Sequence, residues 1–132
     1  MALTGKLNID DKSYLVLECE YEFNQTITTT GRPSGKPKGG LINVVLVSPD
    51  DSDLTLHEWM RDKDTTKNGK ITLKVNKDNK FATKTIDFED AYCVRLYEYF
   101  NGNNETLMYT KISILPGTIT FGNNCEFRML DK

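Results

Sequence analysis

The chain has 132 residues, of which 38% are hydrophobic and 27% are charged, and its formal net charge at pH 7 is -2. This length is enough for one domain, 1–132, with a substantial core, and the composition is that of a folded protein rather than a disordered one. A protein that mainly neutralises phosphates usually carries a basic excess, so the charge counts against nucleic acid as the main partner.

The N-terminus has no apolar segment of signal-peptide length, and no run of residues is long and apolar enough to cross a membrane. The three cysteines are odd in number and lack a CxxC spacing, as expected of reduced thiols. Cys19 and Cys93 fall within apolar strand patterns and are predicted to be small buried hydrophobes. We therefore expect a protein that is made and folded in the cytoplasm.

A period-two pattern begins at Tyr14 and predicts a strand with one buried face and one solvated face. The residues predicted to face the core are Leu15, Leu17, Cys19, Tyr21 and Phe23. A preceding strand over 3–9 is expected to pair with this strand through the polar segment DDKS, as in a hairpin.

The next segment, TTTGRPSGKPKGG at 28–40, is basic and rich in glycine and proline, and it is predicted to be an extended loop. Four interpretations are open: a phosphate-binding loop, a nucleic-acid-binding arm, a disordered linker, and an arm that docks onto another subunit. The phosphate-binding signature is not met. Gly31 and Gly35 enclose three residues instead of four, Pro37 replaces the magnesium-binding Ser or Thr, and a strand is predicted to follow.

Beyond this loop, residues Leu41 to Val47 are apolar on both faces except at Asn43, which predicts a central strand covered on each side. Later strands are predicted over 70–76, 81–88, 91–100, 106–115 and 118–122. Turn sequences such as KNGK, NGNNE and PG separate them.

One short helix is predicted at 53–62. Its apolar stripe consists of Leu56, Trp59 and Met60, with Trp59 the expected anchor in the core. Thr55 and Glu58 have the spacing of a capping box, and Asp53 is the alternative N-cap. With about eight strands, this pattern predicts a mainly β protein, a β-barrel with one short inserted α-helix.

Candidate catalytic and metal-binding residues are few. His57 is the only histidine and lies off the helix stripe, so it is expected on the surface, and no His-rich or Cys/His metal site can form. A calcium loop at 62–71 is disfavoured because its glycine comes too late and the closing glutamate is missing. No serine or cysteine carries a nucleophile signature. We therefore expect no enzyme activity, no catalytic or metal site and no cofactor.

The predicted strand at 91–100 places Tyr97 and Tyr99 on the face opposite Tyr92. Outward aromatic residues can stack on single-stranded bases, as in an OB-fold, or pack in a subunit interface. The acidic balance of the chain favours the interface. The alternative is a small monomeric β-barrel that binds single-stranded nucleic acid or a small ligand.

The order of these features resembles a known family. The segments LNIDDKSYLVLECEYEFNQ, TGRPSGKPKGG, LHEWM, NGKITL and AYCVRLYEYF occur in this order along nearly the whole chain. Together they resemble the Bacteroidetes branch of the type VI secretion tube protein TssD, also called Hcp (hemolysin-coregulated protein). None of the segments is a catalytic signature, so the resemblance rests on the whole-chain pattern.

The resemblance implies a barrel related to phage tail-tube proteins that assembles into homohexameric rings. Such rings stack into a hollow tube inside a contractile sheath, and contraction exports the tube, its tip protein and its effectors without a signal peptide. The protein would be a structural subunit and a carrier of effectors in the ring lumen.

Under this resemblance, the loop 28–40 is expected to reach a neighbouring ring. The basic residues Arg32, Lys36 and Lys38 would pair there with Asp50, Asp51 and Asp53 of the next ring. Lateral contacts within a ring are assigned to Val45, Val47, Tyr97 and Tyr99, because a closed ring needs two complementary patches on each subunit.

Overall fold

A computed structural model of the chain describes residues 5–103 and 108–128, with the backbone alone at 26 and 34–39. The strands in this part of the chain are β1 (Gly5–Ile9), β2 (Lys12–Glu20), β3 (Phe23–Ile27), β4 (Pro33–Gly39), β5 (Ile42–Val47), β6 (Lys67–Lys77), β7 (Lys80–Phe100), β8 (Met108–Leu115), β9 (Thr118–Phe121) and β10 (Cys125–Arg128). The helix α1 (Thr55–Arg61) lies between β5 and β6 and falls within the predicted range.

Six of the strands close into a barrel. The main sheet has the order β10-β9-β7-β6-β1-β2-β5-β8. The last strand, β8, also pairs with β7, so the six strands from β7 to β8 form a closed ring. The pairings are antiparallel, and β9 and β10 extend the sheet from β7 outside the closed ring. Closure leaves no free edge along the ring of strands. The predicted β-barrel with one short inserted helix is confirmed.

The strand β7 is continuous where the sequence predicts two strands, 81–88 and 91–100. Its first part pairs with β6 and β9, and its second part pairs with β8. The change of partner lies near Asp90, whose φ is 52°, and near a register shift between Cys93 and Arg95. Bulges of this kind bend and twist a strand, which lets one strand close the barrel.

The core fills the barrel and includes one face of α1. The largest fully buried side chains are Trp59, Phe88, Leu7, Ile9, Ile42, Leu46, Leu56, Ile71, Ile86, Ile112, Ile114 and Ile119. Trp59 is the predicted anchor: its ring is stacked on Phe88 with centroids 6.4 Å apart, and its Nε1 donates to the Ala91 carbonyl at 3.1 Å. Met60, predicted to lie on the same stripe, is instead 38% exposed, because the short helix buries a narrower face.

The helix begins without the predicted capping box. Its N-cap is Leu54, which makes no side-chain cap bond, and Thr55 is already helical. The backbone N–H of Thr55 donates to Asp53 Oδ1 at 3.1 Å, so Asp53 satisfies one of the free donors at the start of the helix. The Tyr14 hydroxyl donates to the other oxygen of Asp53 at 2.8 Å, which joins the helix start to β2.

The predicted buried face of β2 is wrong at Leu15 and Leu17, each of which is 43% exposed. Tyr14 and Val16 of the same strand are buried instead. A register shift between Val16 and Glu18 reverses the alternation, since one extra residue moves every later side chain to the other face. The residues beyond the shift pack against the core as predicted: Cys19, Tyr21 and Phe23.

The segment predicted as an extended loop at 28–40 is mostly part of a hairpin. The strand β3 pairs with β4 in a separate two-stranded sheet, and only 28–32 form the connecting turn. Pro33 and Pro37 are tolerated in β4 because a two-stranded hairpin has outer edges on which a missing N–H is not needed. We call the hairpin 23–39 the arm.

The three cysteines are free thiols. Cys93 is buried, Cys19 is half-buried and Cys125 is exposed. Burial raises the pKa of the Cys19 thiol and of the Cys93 thiol to about 11, so both stay protonated at neutral pH. This fits their predicted role as small apolar residues.

Candidate assembly surfaces

The tip of the arm is a tight turn over 28–32. The backbone N–H of Thr28 donates to the Arg32 carbonyl at 2.8 Å, and the N–H of Gly31 donates to the Thr28 carbonyl at 2.9 Å. Gly31 has a φ of 84°, which glycine adopts at little cost. Arg32 is exposed at this tip. The side chains of Lys36 and Lys38, which complete the predicted basic set, lie outside the described residues.

The base of the arm lies where β2 ends and β5 begins. The backbone N–H of Gly40 donates to the Glu22 carbonyl at 3.1 Å, which holds the two ends of the arm together. Within the described part of the chain, β3 and β4 pair with each other and not with the main sheet. The arm is therefore an appendage of the barrel.

The three predicted acidic partners lie in the loop between β5 and α1. Asp50 accepts hydrogen bonds from the Ser52 hydroxyl and from the Ser52 N–H, the latter at 2.9 Å, and these bonds lower the pKa of its carboxyl. Partial burial raises the pKa of Asp53, but the hydrogen bonds from Thr55 and from the Tyr14 hydroxyl outweigh this effect, and the net shift of the pKa is downward. Asp51 is exposed. Asp50 and Asp53 are thus fixed carboxylates that stay ionised at neutral pH.

The acidic loop and the arm lie at opposite ends of the same two strands. The strand β2 runs from Lys12 to Glu20, with the bond to Asp53 near its start and the arm after its end. The antiparallel partner β5 begins beside the arm at Ile42 and leads into the acidic loop after Val47. Each subunit therefore presents a basic appendage at one end of the barrel and carboxylates at the other.

The four predicted lateral residues lie on one outer face of the barrel. Strand registers align Val47 with Tyr109 and Tyr109 with Tyr99, and they align Val45 with Lys111 and Lys111 with Tyr97. A groove of about 430 Å³ runs along this face. Its lining residues are Leu17, Glu18, Val45, Tyr97, Tyr99, Tyr109 and Lys111. We call this surface, together with Val47, the aromatic face.

Sequence reasoning missed Leu17, Tyr109 and Lys111 as parts of this surface. Leu17 was assigned to the core because the bulge in β2 leaves no signal in the alternation. The strand β5 was expected to be covered on both sides, yet only one side is buried, and Val45 and Val47 are half-exposed on the other. The uncovered side belongs to the aromatic face.

The outer surface on the other side of the barrel is polar. The residues that follow the outward register of β1, β6 and the first part of β7 include Lys6, Asn8, Lys70, Thr72, Thr85 and Asp87. Lys70 and Asp87 form an ion pair at 3.9 Å. The barrel is therefore two-sided, and large apolar side chains concentrate on one of its faces.

His57, expected to be a surface histidine, is 40% exposed but takes part in a hydrogen-bond network. Its Nε2 lies 2.8 Å from Glu98 Oε1 on β7, and the Thr110 hydroxyl donates to the other oxygen of Glu98 at 3.3 Å. The Ser48 hydroxyl lies 2.5 Å from that of Thr110. Helix periodicity could not predict this role, because the partners come from distant strands.

The chain also matches a known protein family. The family described as Hemolysin coregulated protein Hcp (TssD) matches residues 1–128. This chain belongs to the Hcp family. It is therefore a subunit of the type VI secretion tube, as the resemblance in the sequence implies.

Solved structures agree with this assignment. An Hcp protein of Flavobacterium johnsoniae is 31% identical, with 95% of this chain and 98% of that chain covered and a TM-score of 0.76. An Hcp protein of E. coli EAEC 042 is 12% identical and has a TM-score of 0.70, with 98% and 99% covered, and shows the shared fold. A sheath/tube terminator of an extracellular contractile injection system shares the fold at a TM-score of 0.51 with 13% identity, covering 89% of this chain and 92% of its own. No curated protein sequence matches the chain.

Membership of the Hcp family makes the chain a structural tube protein and does not favour the alternative of a monomeric binding module. Over 5–103 and 108–128, no three or more His, Cys, Asp or Glu side chains are grouped so that they could hold a metal ion. No helix within these ranges has the length and apolar character that spanning a membrane requires.

Proposed function

We propose that this Hcp subunit forms homohexameric rings that stack head to tail, with the arm of one ring resting on the acidic loop of the next. The observation that carries this proposal is the placement of arm and acidic loop at opposite ends of β2 and β5. Two different complementary surfaces on one subunit generate an open stack with a single polarity, which is what a tube requires.

The charges of the two surfaces are complementary. The arm carries Arg32, Lys36 and Lys38, and the loop carries Asp50, Asp51 and Asp53. One exposed ion pair contributes about 0.2–1 kcal/mol, but the same contact is repeated around the ring and all copies engage together. Asp50 and Asp53 are already held by bonds within the chain, so docking costs them little conformational entropy.

Replacing the three basic residues of the arm with serine tests the stacking surface. We expect isolated rings to remain and tube growth to be lost, as seen by negative-stain imaging. The matched control is serine at Lys6, Lys70 and Lys74, which removes the same charge from β1 and β6. Tubes of normal length from the arm variant would contradict the proposed stacking contact.

The aromatic face is the proposed lateral contact between neighbours in a ring. Its groove combines tyrosine rings with aliphatic side chains, the composition of an interface core, and Glu18 and Lys111 supply opposite charges along its lining. A monomer would leave this apolar groove in water. Packing against a second copy removes the exposed area at a surface that the barrel does not need for its own folding.

The double substitution Tyr97→Ser and Tyr99→Ser tests the lateral contact. We expect the variant to be a folded monomer by light scattering, because Tyr97 is 50% and Tyr99 46% exposed and both lie outside the core. The control is Phe81→Ser, which removes another exposed aromatic side chain from the β6–β7 hairpin. If the double variant forms intact rings, the aromatic face is not the lateral contact.

The remaining partners follow from the tube assignment. The assembled tube would lie in the cytoplasm inside a contractile sheath, with a tip protein at its end and effectors in its lumen, and it would leave the cell without a signal peptide. The protein should then appear in the culture medium only in cells with a working sheath. Export from sheath-deficient cells would contradict this part of the proposal.

A further inference from the structure

Four aromatic rings meet at the base of the arm. Phe23 of β3 is stacked on Phe127 of β10, with centroids 4.4 Å apart and an interplanar angle of 25°. Phe121 of β9 lies 5.7 Å from Phe23 and 5.9 Å from Phe127 in edge-to-face geometry. Tyr21 lies 5.4 Å from Phe121, and the Lys84 ammonium lies 5.6 Å from the centroid of the Phe121 ring. We call Tyr21, Phe23, Phe121 and Phe127 the ring cluster.

Among the side chains that the structure describes, the ring cluster joins the arm to the rest of the molecule. In the described part of the chain, the arm has no strand pairing with the main sheet. Apart from the chain at both ends, the other connection found among the described residues is the bond between Gly40 and Glu22, which closes the arm on itself. A hairpin held by two chain connections alone can rotate about them. Phe23 prevents this rotation by packing between rings of β9 and β10.

The rings that hold the arm come from outside the closed barrel. The strand β9 pairs with the first part of β7, and β10 pairs only with β9 among the described strands. Phe127 is partly exposed, so its removal leaves the barrel core intact. The strand β10 can therefore influence the arm without being required for the fold of the barrel, whereas β9 also supplies Ile119 to the core.

We infer that the C-terminal hairpin β9–β10 positions the arm for docking, with Phe127 as the positioning residue. This inference rests on the proposed function, in which the arm meets the acidic loop of the next ring. An arm that is already oriented loses less entropy on docking than a free one. The stacking of Phe23 on Phe127 therefore raises the affinity of one hexameric ring for the next. Any change that displaces β10 would then weaken stacking while leaving the ring intact.

Trypsin cleavage gives a readout of arm position that does not depend on stacking. Arg32 and Lys36 are each followed by proline, which blocks trypsin, so the bond between Lys38 and Gly39 is the one cleavable bond in the arm. In isolated rings of Phe127→Ala, we expect cleavage at this bond to be about tenfold faster than in the unchanged protein, because the arm leaves the barrel more often. Negative-stain images of the uncleaved variant, under conditions in which the unchanged protein forms tubes, should show short tubes or none.

Phe127→Leu and Phe81→Ala complete the experiment. Phe127→Leu keeps an apolar side chain in place and is used if Phe127→Ala fails to fold. Trypsin should also cleave the arm of this variant faster, because leucine cannot stack on the Phe23 ring. Phe81→Ala removes an exposed aromatic ring that is outside the ring cluster and should change neither cleavage nor tube length. Unchanged cleavage in a folded Phe127 variant would overturn the inference. Faster cleavage with normal tubes would instead show that the arm is positioned by β10 but is not the stacking contact.

Discussion

Asp53 joins two parts of the molecule through one carboxylate. One oxygen accepts from the Tyr14 hydroxyl on β2, and the other accepts from the Thr55 N–H at the start of α1. Burial and the bond to Asp53 raise the pKa of Tyr14 to about 12, so the phenol remains a donor across the physiological range. This single residue thus holds both the helix and the acidic loop against the barrel.

Tyr14→Phe should lower the free energy of unfolding at pH 7 by about 1 kcal/mol, because it removes one hydrogen bond to a carboxylate. The pKa of Asp53 in the folded protein lies below its ordinary value of about 4. The hydrogen bond therefore contributes its full stability above about pH 4, and this contribution is lost as the pH falls through the folded pKa. Urea unfolding of the Tyr97→Ser, Tyr99→Ser protein, which is expected to be a monomer, with and without Tyr14→Phe, measures the effect across this range. If the difference in free energy of unfolding between the proteins with and without Tyr14→Phe stays constant down to low pH, the role of Asp53 is contradicted.

The packing of β6 against Phe88 of β7 depends on a missing side chain at Gly69. A Cβ built on Gly69 would lie 2.4 Å from Phe88 Cζ and 2.9 Å from the Asn8 carbonyl oxygen. The Phe88 ring cannot easily move, because it is buried against Trp59. The sequence shows Gly69 only as part of a turn signal, KNGK, whereas the structure places it within β6.

Gly69→Ala should therefore destabilise the protein by about 1–3 kcal/mol, the usual cost of overpacking a core. The matched control is Gly40→Ala, since no atom lies within 4 Å of a Cβ at that position. The control should change stability by less than about 0.5 kcal/mol. Thermal or urea unfolding compares the two variants, and equal stabilities would contradict the packing argument.

At the element scale, the sequence predicted the strands and the helix wherever a periodic pattern was uninterrupted. The helix α1 was found this way, with Trp59 as the anchor, and the strand β5 was found from its continuous apolar run. The bulge in β2 was not predictable, since one inserted residue moves the later side chains to the other face of the sheet without changing the composition of the strand. The strand β4 was missed for a different reason: its glycines and prolines favour a loop, and only pairing with β3 makes it a strand.

For the molecule as a whole, some residues of the aromatic face could be predicted from the sequence and others could not. Tyr97 and Tyr99 could be assigned to an outer face because the period-two pattern of their strand places them opposite Leu96, which packs against the core. Tyr109 and Lys111 could not be added, because they join that face only through the pairing of β8 with β5 and β7. Phe127 was not recognised at all, since a lone aromatic residue near the end of the chain has no periodic pattern.

The polarity of the molecule is the feature that best explains a tube. Basic residues lie on an appendage at one end of β2 and β5, carboxylates lie at the other end, and an apolar face runs along the side. In the proposed assembly, contacts between ends would extend the tube and contacts between sides would close the ring. The two kinds of contact use different residues, so they should be separable by substitution.

The most direct test of this account is the solution mass of the purified protein by light scattering, with negative-stain images of the same peak. A homohexameric ring should give a particle with six times the mass of the chain and images of closed rings. A clean monomer at high protein concentration would contradict the proposed ring.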